Sequence, residues 1–277
     1  MKRACVIGWP VAHSRSPVIH RYWLKLYGLD GAYEMEAVRP EEIEGFLKGL
    51  GKRGYAGANV TLPHKEAALA AADRPDDAAT TIGAANTLWL DAKCLLHASN
   101  TDAYGFMTHL AAEAPEWNQG KRPVVALGAG GAARAILHGL IEAGTTKIVL
   151  ANRTEGRAKA LAEGFGSRVW VIPWEDRNRA LSDCGLLVNA TSLGMTSKPA
   201  LDIDLSALPA DAIVDDIVYS PLETPLLAAA KARGNRTVDG LGMLLHQAVP
   251  GFERWFGVRP EVTPELRAHV VAHLKAS

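Results

Sequence analysis

Two charged groups in polar stretches of the first hundred or so residues have the makings of an acid–base pair. Lys65 ends the stretch "NVTLPHK", in which Asn59 and Thr61 alternate with apolar Val60 and Leu62 before Pro63 turns the chain. Asp102 stands in "SNTDAYG" and opens a helix-type run. A positioned amine can pass a proton to or from a reacting oxygen, and a carboxylate can orient it. Each residue also has an ordinary role available: a lysine at a helix start is usually a surface group, and aspartate is among the best N-caps. Sequence spacing does not bring positions 65 and 102 together, so at this level both readings stand.

The stretches "HSRSP" and "GAANTL" are likewise richer in polar residues than packing requires, and loops between strands and helices are where α/β proteins put their sites. A second kind of chemistry is written in "PVVALGAGGAARAILHGLIEAG". Gly128, Gly130 and Ala133 form a G-x-G-x-x-A turn between a β-type run and an amphipathic helix. Such a turn lets backbone N–H groups approach a pyrophosphate. An NAD site normally carries Asp or Glu about 20 residues further on to hold the ribose 2′-OH. Here the next strand ends in "ANRTEGR" instead. Arg153 and Arg157 lie one helical turn apart and suit a 2′-phosphate, whereas two cations at a helix start are otherwise disfavoured by the helix dipole. Thr154 is expected to cap that helix. The expected cofactor is therefore NADP(H) rather than NAD(H).

These groups need elements to hold them. β-type and helical runs alternate almost throughout, which indicates an α/β protein with largely parallel sheets. The first series is strand "ACVIG", helix "SPVIHRYWLKLYG", strand "GAYEMEAV", helix "PEEIEGFLKGLG" and "YAGANV". Pro17 and Pro40 mark helix starts and Gly28 a stop. The second series, from about residue 102, has the order of a doubly wound nucleotide-binding domain. Its last strand is "AIVDDIV", and two helices, "GLGMLLHQAVPGFERWFG" and "TPELRAHVVAHLKAS", follow. With 277 residues two domains are expected. Residues 1–101 form one, completed by the helices of 241–277, and 102–240 form the other.

Bulk composition excludes several classes. There are 30 basic and 30 acidic residues with no block of like charge, so nothing points to nucleic acid. No apolar run is long enough to span a bilayer. Cys5, Cys94 and Cys184 are widely spaced and no signal peptide is visible, so a reduced, cytoplasmic protein acting on a small molecule is expected. The nine histidines show no metal-ligand spacing, and no metal is expected. His64 reads as an exposed residue without a role in preference to one that tunes Lys65. Tryptophans, among them Trp9, Trp170 and Trp174, read as core or cleft-wall packing, with Trp9 a candidate to line a substrate cleft.

Taken together, the motifs "SRSP", "GANVTLPHKEAAL", "IGAANTL", "NTDAYGF", "GAGGAARA", "ANRTEGRA", "NATSLGM", "VYSPLETPLL" and "DGLGMLLHQA" resemble the shikimate dehydrogenase family, in its order and over nearly the whole chain. The resemblance implies reversible reduction of 3-dehydroshikimate to shikimate by NADPH on the route to chorismate and the aromatic amino acids. It also implies an N-terminal substrate domain that faces a Rossmann NADP domain across a cleft.

By position, Ser14 and Ser16 match the serines that hold the substrate carboxylate, with Tyr219 nearby. Asn59, Thr61, Asn86, Asp102 and Gln247 match the groups that bind ring hydroxyls. Lys65 matches the residue of proton transfer, with Asp102 as its partner. Gly128, Ala129, Gly130, Gly131 and Ala132 match the pyrophosphate loop, and Asn152, Arg153, Thr154 and Arg157 the adenosine-phosphate segment. Thr191 and Ser192 are implied near the dinucleotide and Gly240 at the nicotinamide amide, while Ile217, which departs from the family's usual methionine, is expected to pack on the nicotinamide face.

The rival readings are a quinate/shikimate dehydrogenase, a shikimate dehydrogenase-like paralogue, and a non-catalytic NADPH-binding sensor. A fragment fused to a dehydratase is disfavoured by length. A monomer or a homodimer is expected.

Overall fold

The computed structural model describes residues 1–275. In chain order the first elements are β1 (Lys2–Gly8), α1 (Ser16–Leu26), β2 (Gly31–Ala37), α2 (Ile43–Lys48), β3 (Tyr55–Val60), α3 (Lys65–Ala70), β4 (Arg74–Pro75), α4 (Asp77–Ile82), β5 (Thr87–Leu90) and β6 (Leu96–Ser99). There follow α5 (Asp102–Glu113), β7 (Val124–Leu127), α6 (Gly131–Glu142), β8 (Ile148–Ala151), α7 (Glu155–Glu163), β9 (Val169–Ile172), β10 (Leu186–Asn189) and β11 (Ile213–Asp216). The chain closes with α8 (Pro225–Ala232), β12 (Arg236–Asp239), α9 (Gly240–Phe256) and α10 (Pro264–Lys275). The chain divides into two compact units, Met1–Asp102 with Leu245–Ser277, and Ala103–Leu244.

In the first unit the strands lie in the order β2-β1-β3-β5-β6-β4. β1 pairs in parallel with β2 and β3, but β5 runs antiparallel to both β3 and β6. The part of this unit between residues 61 and 101 holds more regular structure than its composition announces, because "TLWL" and "LHAS" are too short for periodicity to register. Pro17 lies in the first turn of α1, and Gly28 follows that helix at φ +60°, a left-handed value that suits glycine. The C-terminal helices belong to this core. Trp255 of α9 donates from Nε1 to the Leu88 carbonyl of β5 at 2.8 Å, and Trp23 of α1 donates to the Glu261 carbonyl at 3.0 Å. Buried indoles are accommodated this way because each has one N–H to satisfy.

In the second unit six parallel strands lie in the order β12-β11-β10-β7-β8-β9. Reading from the first strand, this is the doubly wound order 3-2-1-4-5-6, which reverses direction between β7 and β10. All four residues of β7 and of β10 are buried, as expected for central strands covered on both faces. α8 and β12 were not expected from the sequence, although their start was signalled: Thr224 caps α8 by accepting from the Leu227 N–H, with Pro225 next.

Candidate active site

In the first unit Lys65 and Asp102 meet. Pro63 and a turn bring Lys65 to the first position of α3, and Asp102 is the first residue of α5. Lys65 Nζ lies 2.5 Å from Asp102 Oδ2, the two side chains being 23% and 12% exposed. The other carboxylate oxygen, Oδ1, accepts from Asn86 Nδ2 at 2.8 Å. Asp102 thus engages Lys65 and Asn86 with its carboxylate, one at each oxygen. Its own N–H is taken by Asn100 Oδ1 at 3.1 Å, leaving the carboxylate for the lysine and Asn86. The lysine, correspondingly, is no solvated surface group.

Asn86 is fixed in turn. Its Oδ1 accepts from the Thr101 N–H at 2.8 Å and from the Thr87 hydroxyl at 3.0 Å, while its Nδ2 reaches Gln247 Oε1 at 3.5 Å. Thr101 also donates to the Gln247 carbonyl at 2.8 Å, which ties α9 to this wall. The two Asn-Thr pairs, 86–87 and 100–101, therefore interlock across paired strands. Their repetition in "AANTL" and "SNTD" is the signal by which Thr87, Asn100 and Thr101 were findable.

Asn59, in β3, is 5% exposed. Its Oδ1 accepts from the Tyr33 hydroxyl at 2.6 Å and meets His20 Nε2 at 3.2 Å; its Nδ2 points to the Asn86 carbonyl and Thr87 Oγ1, each at 3.3 Å. His20 stacks on Tyr33 with centroids 4.1 Å apart. Burial pushes the His20 imidazole down to about 3, outweighing its bond to Asn59, so the ring is neutral. Burial also pushes the Tyr33 hydroxyl well above its ordinary value, which keeps it a donor. Neither residue carried a sequence signal. Thr61 is half-buried beyond β3, its N–H donating to the Ile7 carbonyl at 2.9 Å. Ser14 and Ser16 lie at the start of α1, with the Ser16 N–H 3.3 Å from Ser14 Oγ.

In the second unit the glycine turn follows β7 and meets the loop after β10, at the switch point of the sheet. Gly128 has φ +108°, and a Cβ there would come within 2.7 Å of the Ala190 carbonyl oxygen and 3.1 Å of the Thr191 methyl. Gly130 caps α6 without a side chain, and a Cβ on Gly130 or Gly131 would meet only open space. The first turn of a twelve-residue helix is thus left with unsatisfied backbone N–H groups, a cradle that suits a phosphate anion. Asn152 Oδ1 accepts from the Ala129 N–H at 3.2 Å and Nδ2 donates to the Thr154 carbonyl, so Asn152 braces the turn from β8. Ala132 lies in the first turn of α6. Arg153 and Arg157 are both exposed, and among the described residues no hydrogen-bond or ion-pair partner holds either guanidinium. Gly240 lies against Ile217: a Cβ on Gly240 would collide with the Ile217 carbonyl. Ser192 is exposed beside Thr191, and Tyr219 is half-buried on the loop after β11.

Three expectations are corrected. Thr154 occupies the cap position of α7, but its side chain makes no capping bond. His64 is buried at 2% exposure, its Nε2 2.7 Å from the Val38 carbonyl, so it anchors the turn before Lys65. Trp170 is 59% exposed rather than packed in the core, while Trp9 is 42% exposed with Arg39 lying over its ring. All three cysteines are free thiols. Among the described residues no helix is long and apolar enough to cross a membrane, and no cluster of three His, Cys, Asp or Glu side chains is arranged to hold a metal.

The doubly wound sheet with a glycine turn at its switch point defines the second unit as an α/β domain of the dinucleotide-binding class. The chain belongs to the shikimate dehydrogenase family. Residues 6–88 match the shikimate dehydrogenase substrate binding domain, 109–197 the shikimate/quinate 5-dehydrogenase model, and 240–264 the shikimate 5′-dehydrogenase C-terminal domain. The chain is 59% identical over 273 residues to a shikimate dehydrogenase (NADP(+)) of Rhodopseudomonas palustris strain TIE-1, covering 99% of this chain and 97% of that protein. Its fold is similar to that of a shikimate 5-dehydrogenase of Thermus thermophilus in complex with NADP(H) and shikimate (TM-score 0.85, 39% identity, 99% and 100% of the two chains). It is also similar to a quinate dehydrogenase of Corynebacterium glutamicum in complex with NAD (TM-score 0.92, 31% identity, 98% and 99%).

Proposed function

We propose that this protein is an NADP(H)-dependent shikimate dehydrogenase that interconverts 3-dehydroshikimate and shikimate on the route to chorismate and the aromatic amino acids. The observation that carries the reading is the Lys65–Asp102 pair, 2.5 Å apart beside a wall of Asn, Thr and Gln side chains. The 59% identity to an NADP(+) shikimate dehydrogenase supports it.

The unit built from Met1–Asp102 and Leu245–Ser277 is the substrate unit. Ser14 and Ser16 receive the carboxylate. Asn59, Thr61, Asn86, Asp102 and Gln247 receive ring hydroxyls. A small polyhydroxylated acid offers little apolar surface, so discrimination comes from donors and acceptors that the wrong ligand would leave unpaired. Ala103–Leu244 is the dinucleotide unit. Gly128 to Ala132 take the pyrophosphate, Arg153 and Arg157 flanked by Asn152 and Thr154 take the 2′-phosphate, Thr191 and Ser192 stand beside the dinucleotide, and Ile217 and Gly240 line the nicotinamide end.

Bound NADPH supplies the hydride. As the substrate carbonyl carbon is reduced, its oxygen gathers negative charge and takes a proton from Lys65 Nζ; in the oxidative direction the neutral amine accepts the hydroxyl proton. Asp102 Oδ2 aims the ammonium. Asn86, holding Oδ1, keeps that carboxylate from swinging.

The NAD complex of the quinate dehydrogenase relative favours one second reading, a quinate or dual-substrate enzyme. Against it, β8 leads into Asn152, Arg153 and Thr154, with no acid placed for a ribose 2′-OH. Absorbance of the reduced nicotinamide, followed with shikimate or quinate and NADP or NAD, separates these readings. The expected result is the highest kcat/KM for shikimate with NADP. A preference for quinate with NAD would replace the proposal, and tight NADPH binding without turnover would make the protein a sensor.

A further inference from the structure

The geometry points to Asp216 as a positioning residue for the dinucleotide loops. It is fully buried at the end of β11, and its two oxygens gather three separate pieces of the second unit. Oδ1 accepts from Asn189 Nδ2 at the end of β10 (2.9 Å) and from the Val218 N–H in the loop after β11 (3.1 Å). Oδ2 accepts from the Thr224 hydroxyl at 2.6 Å. Each partner passes the constraint on. Asn189 Oδ1 accepts from both the N–H and the hydroxyl of Thr191 (3.1 and 2.7 Å), and its Nδ2 also donates to the Leu193 carbonyl at 3.1 Å. Thr224 Oγ1 caps α8 through the Leu227 N–H at 3.2 Å.

One carboxylate therefore sets the 191–193 turn against the 217–224 loop, which carries Ile217 and Tyr219 between fixed ends. The 217–224 loop is tied a second time through the Thr196 N–H, which donates to the Ser220 carbonyl at 2.9 Å. Burial pushes the Asp216 carboxyl up to about 6 against the opposing bonds from Thr224, Val218 and Asn189, which leaves it an acceptor at neutral pH. Buried networks of this kind hold a single geometry only while every member is satisfied.

This inference rests on reading the second unit as the NADP(H) unit. Asp216 touches no reacting atom there. It sets where Thr191, Ser192 and Ile217 stand.

The test compares Asp216→Ala, which removes the acceptors, with Asp216→Asn, whose amide oxygen still accepts from Asn189 and Val218 and whose nitrogen can turn to Thr224. NADPH affinity, measured by fluorescence titration, is expected to fall about tenfold or more in D216A, the scale set by leaving buried donors unpaired, and less than about threefold in D216N. The shikimate KM at saturating NADP should stay within about twofold in both. Hydrogen exchange of segments 190–195 and 217–224 should quicken in D216A while α6 keeps its protection. If D216A does not fold, Thr224→Val against Thr224→Ser asks the same question through Oδ2.

Wild-type exchange in both loops, or loosened loops with unchanged NADPH affinity, would overturn the inference. So would an equal loss of NADPH and shikimate binding, which marks general destabilisation. A wild-type protein that fails to bind NADPH would instead refute the cofactor reading, with the exchange data still deciding whether Asp216 orders the loops.

Discussion

Asp102 divides its two oxygens between Lys65, 37 positions away in the chain, and Asn86, 16 positions away. The carboxylate is thereby a hinge pin. Motion of the lysine head is limited by a partner that is itself held on the far side.

Removing the amine should remove the proton path. Lys65→Ala is expected to lower kcat by about 10² to 10⁴, the usual worth of general acid–base assistance, with NADPH affinity unchanged. Asp102→Asn keeps the shape but loses the charge that aims the ammonium, so a smaller fall in kcat with a rise in shikimate KM is expected. Steady-state kinetics and fluorescence titration check both, and near-normal turnover by K65A would remove Lys65 from its role.

Cofactor choice should depend on two exposed guanidiniums. On the proposed reading, Arg153→Ala and Arg157→Ala would each delete a charge-assisted hydrogen bond to a 2′-phosphate, of the kind worth roughly 1.5–3 kcal/mol. The KM for NADP should rise about tenfold or more in each variant while that for NAD barely moves. Parallel loss with both cofactors would show that the arginines serve the fold of the turn instead.

His20 should make the first unit sensitive to acid. Its folded value of about 3 lies below the ordinary 6.5, so the unfolded chain binds the proton first as the pH falls. Stability from this group is complete above about 6.5 and is lost progressively toward 3, amounting to about 2 kcal/mol by pH 5. Denaturant unfolding at pH 7.5 and 5 should therefore show a smaller drop in His20→Gln than in the wild type. Equal drops would mean that the histidine is protonated in the folded protein.

Gly240 leaves no room for a side chain. In Gly240→Ala the new methyl would meet the Ile217 carbonyl, and the backbone of the 217–224 loop would have to move. Weaker NADPH binding is expected, by about tenfold, with the shikimate KM little changed. A crystal structure of the variant with Ile217 undisplaced would contradict this account.

How far each feature could be read from the chain follows from its range. The glycine turn, the strand before it and the helix after it lie within twenty residues, and φ preference and hydrophobic period act at that distance. α8 and β12 were missed although Thr224-Pro225 announced a helix start, because the strand "RTVD" is too short to alternate visibly. Thr154 looked like a cap from its type and place, yet Asn152 took the structural role by bracing the turn. His64 is polar and stands in a turn, so it read as exposed; only the approach of the Val38 carbonyl makes its burial tolerable.

By itself the sequence determined the alternation of strands and helices, the glycine turn after β7, the missing acid after β8 and the polar character of the stretches around Asn59, Asn86 and Asn100, since each depends on residue types within one or two turns of chain. The tertiary structure alone decided that Lys65 faces Asp102, that Asn86 and Thr101 lock that pair to α9, and that one buried carboxylate gathers the loops after β10 and β11. Apart from the local bond from the Val218 N–H, those contacts join residues from 8 to 161 positions apart. No local propensity encodes them, because they form only when packed sheets bring distant strand ends side by side and burial forces each polar group to find a partner.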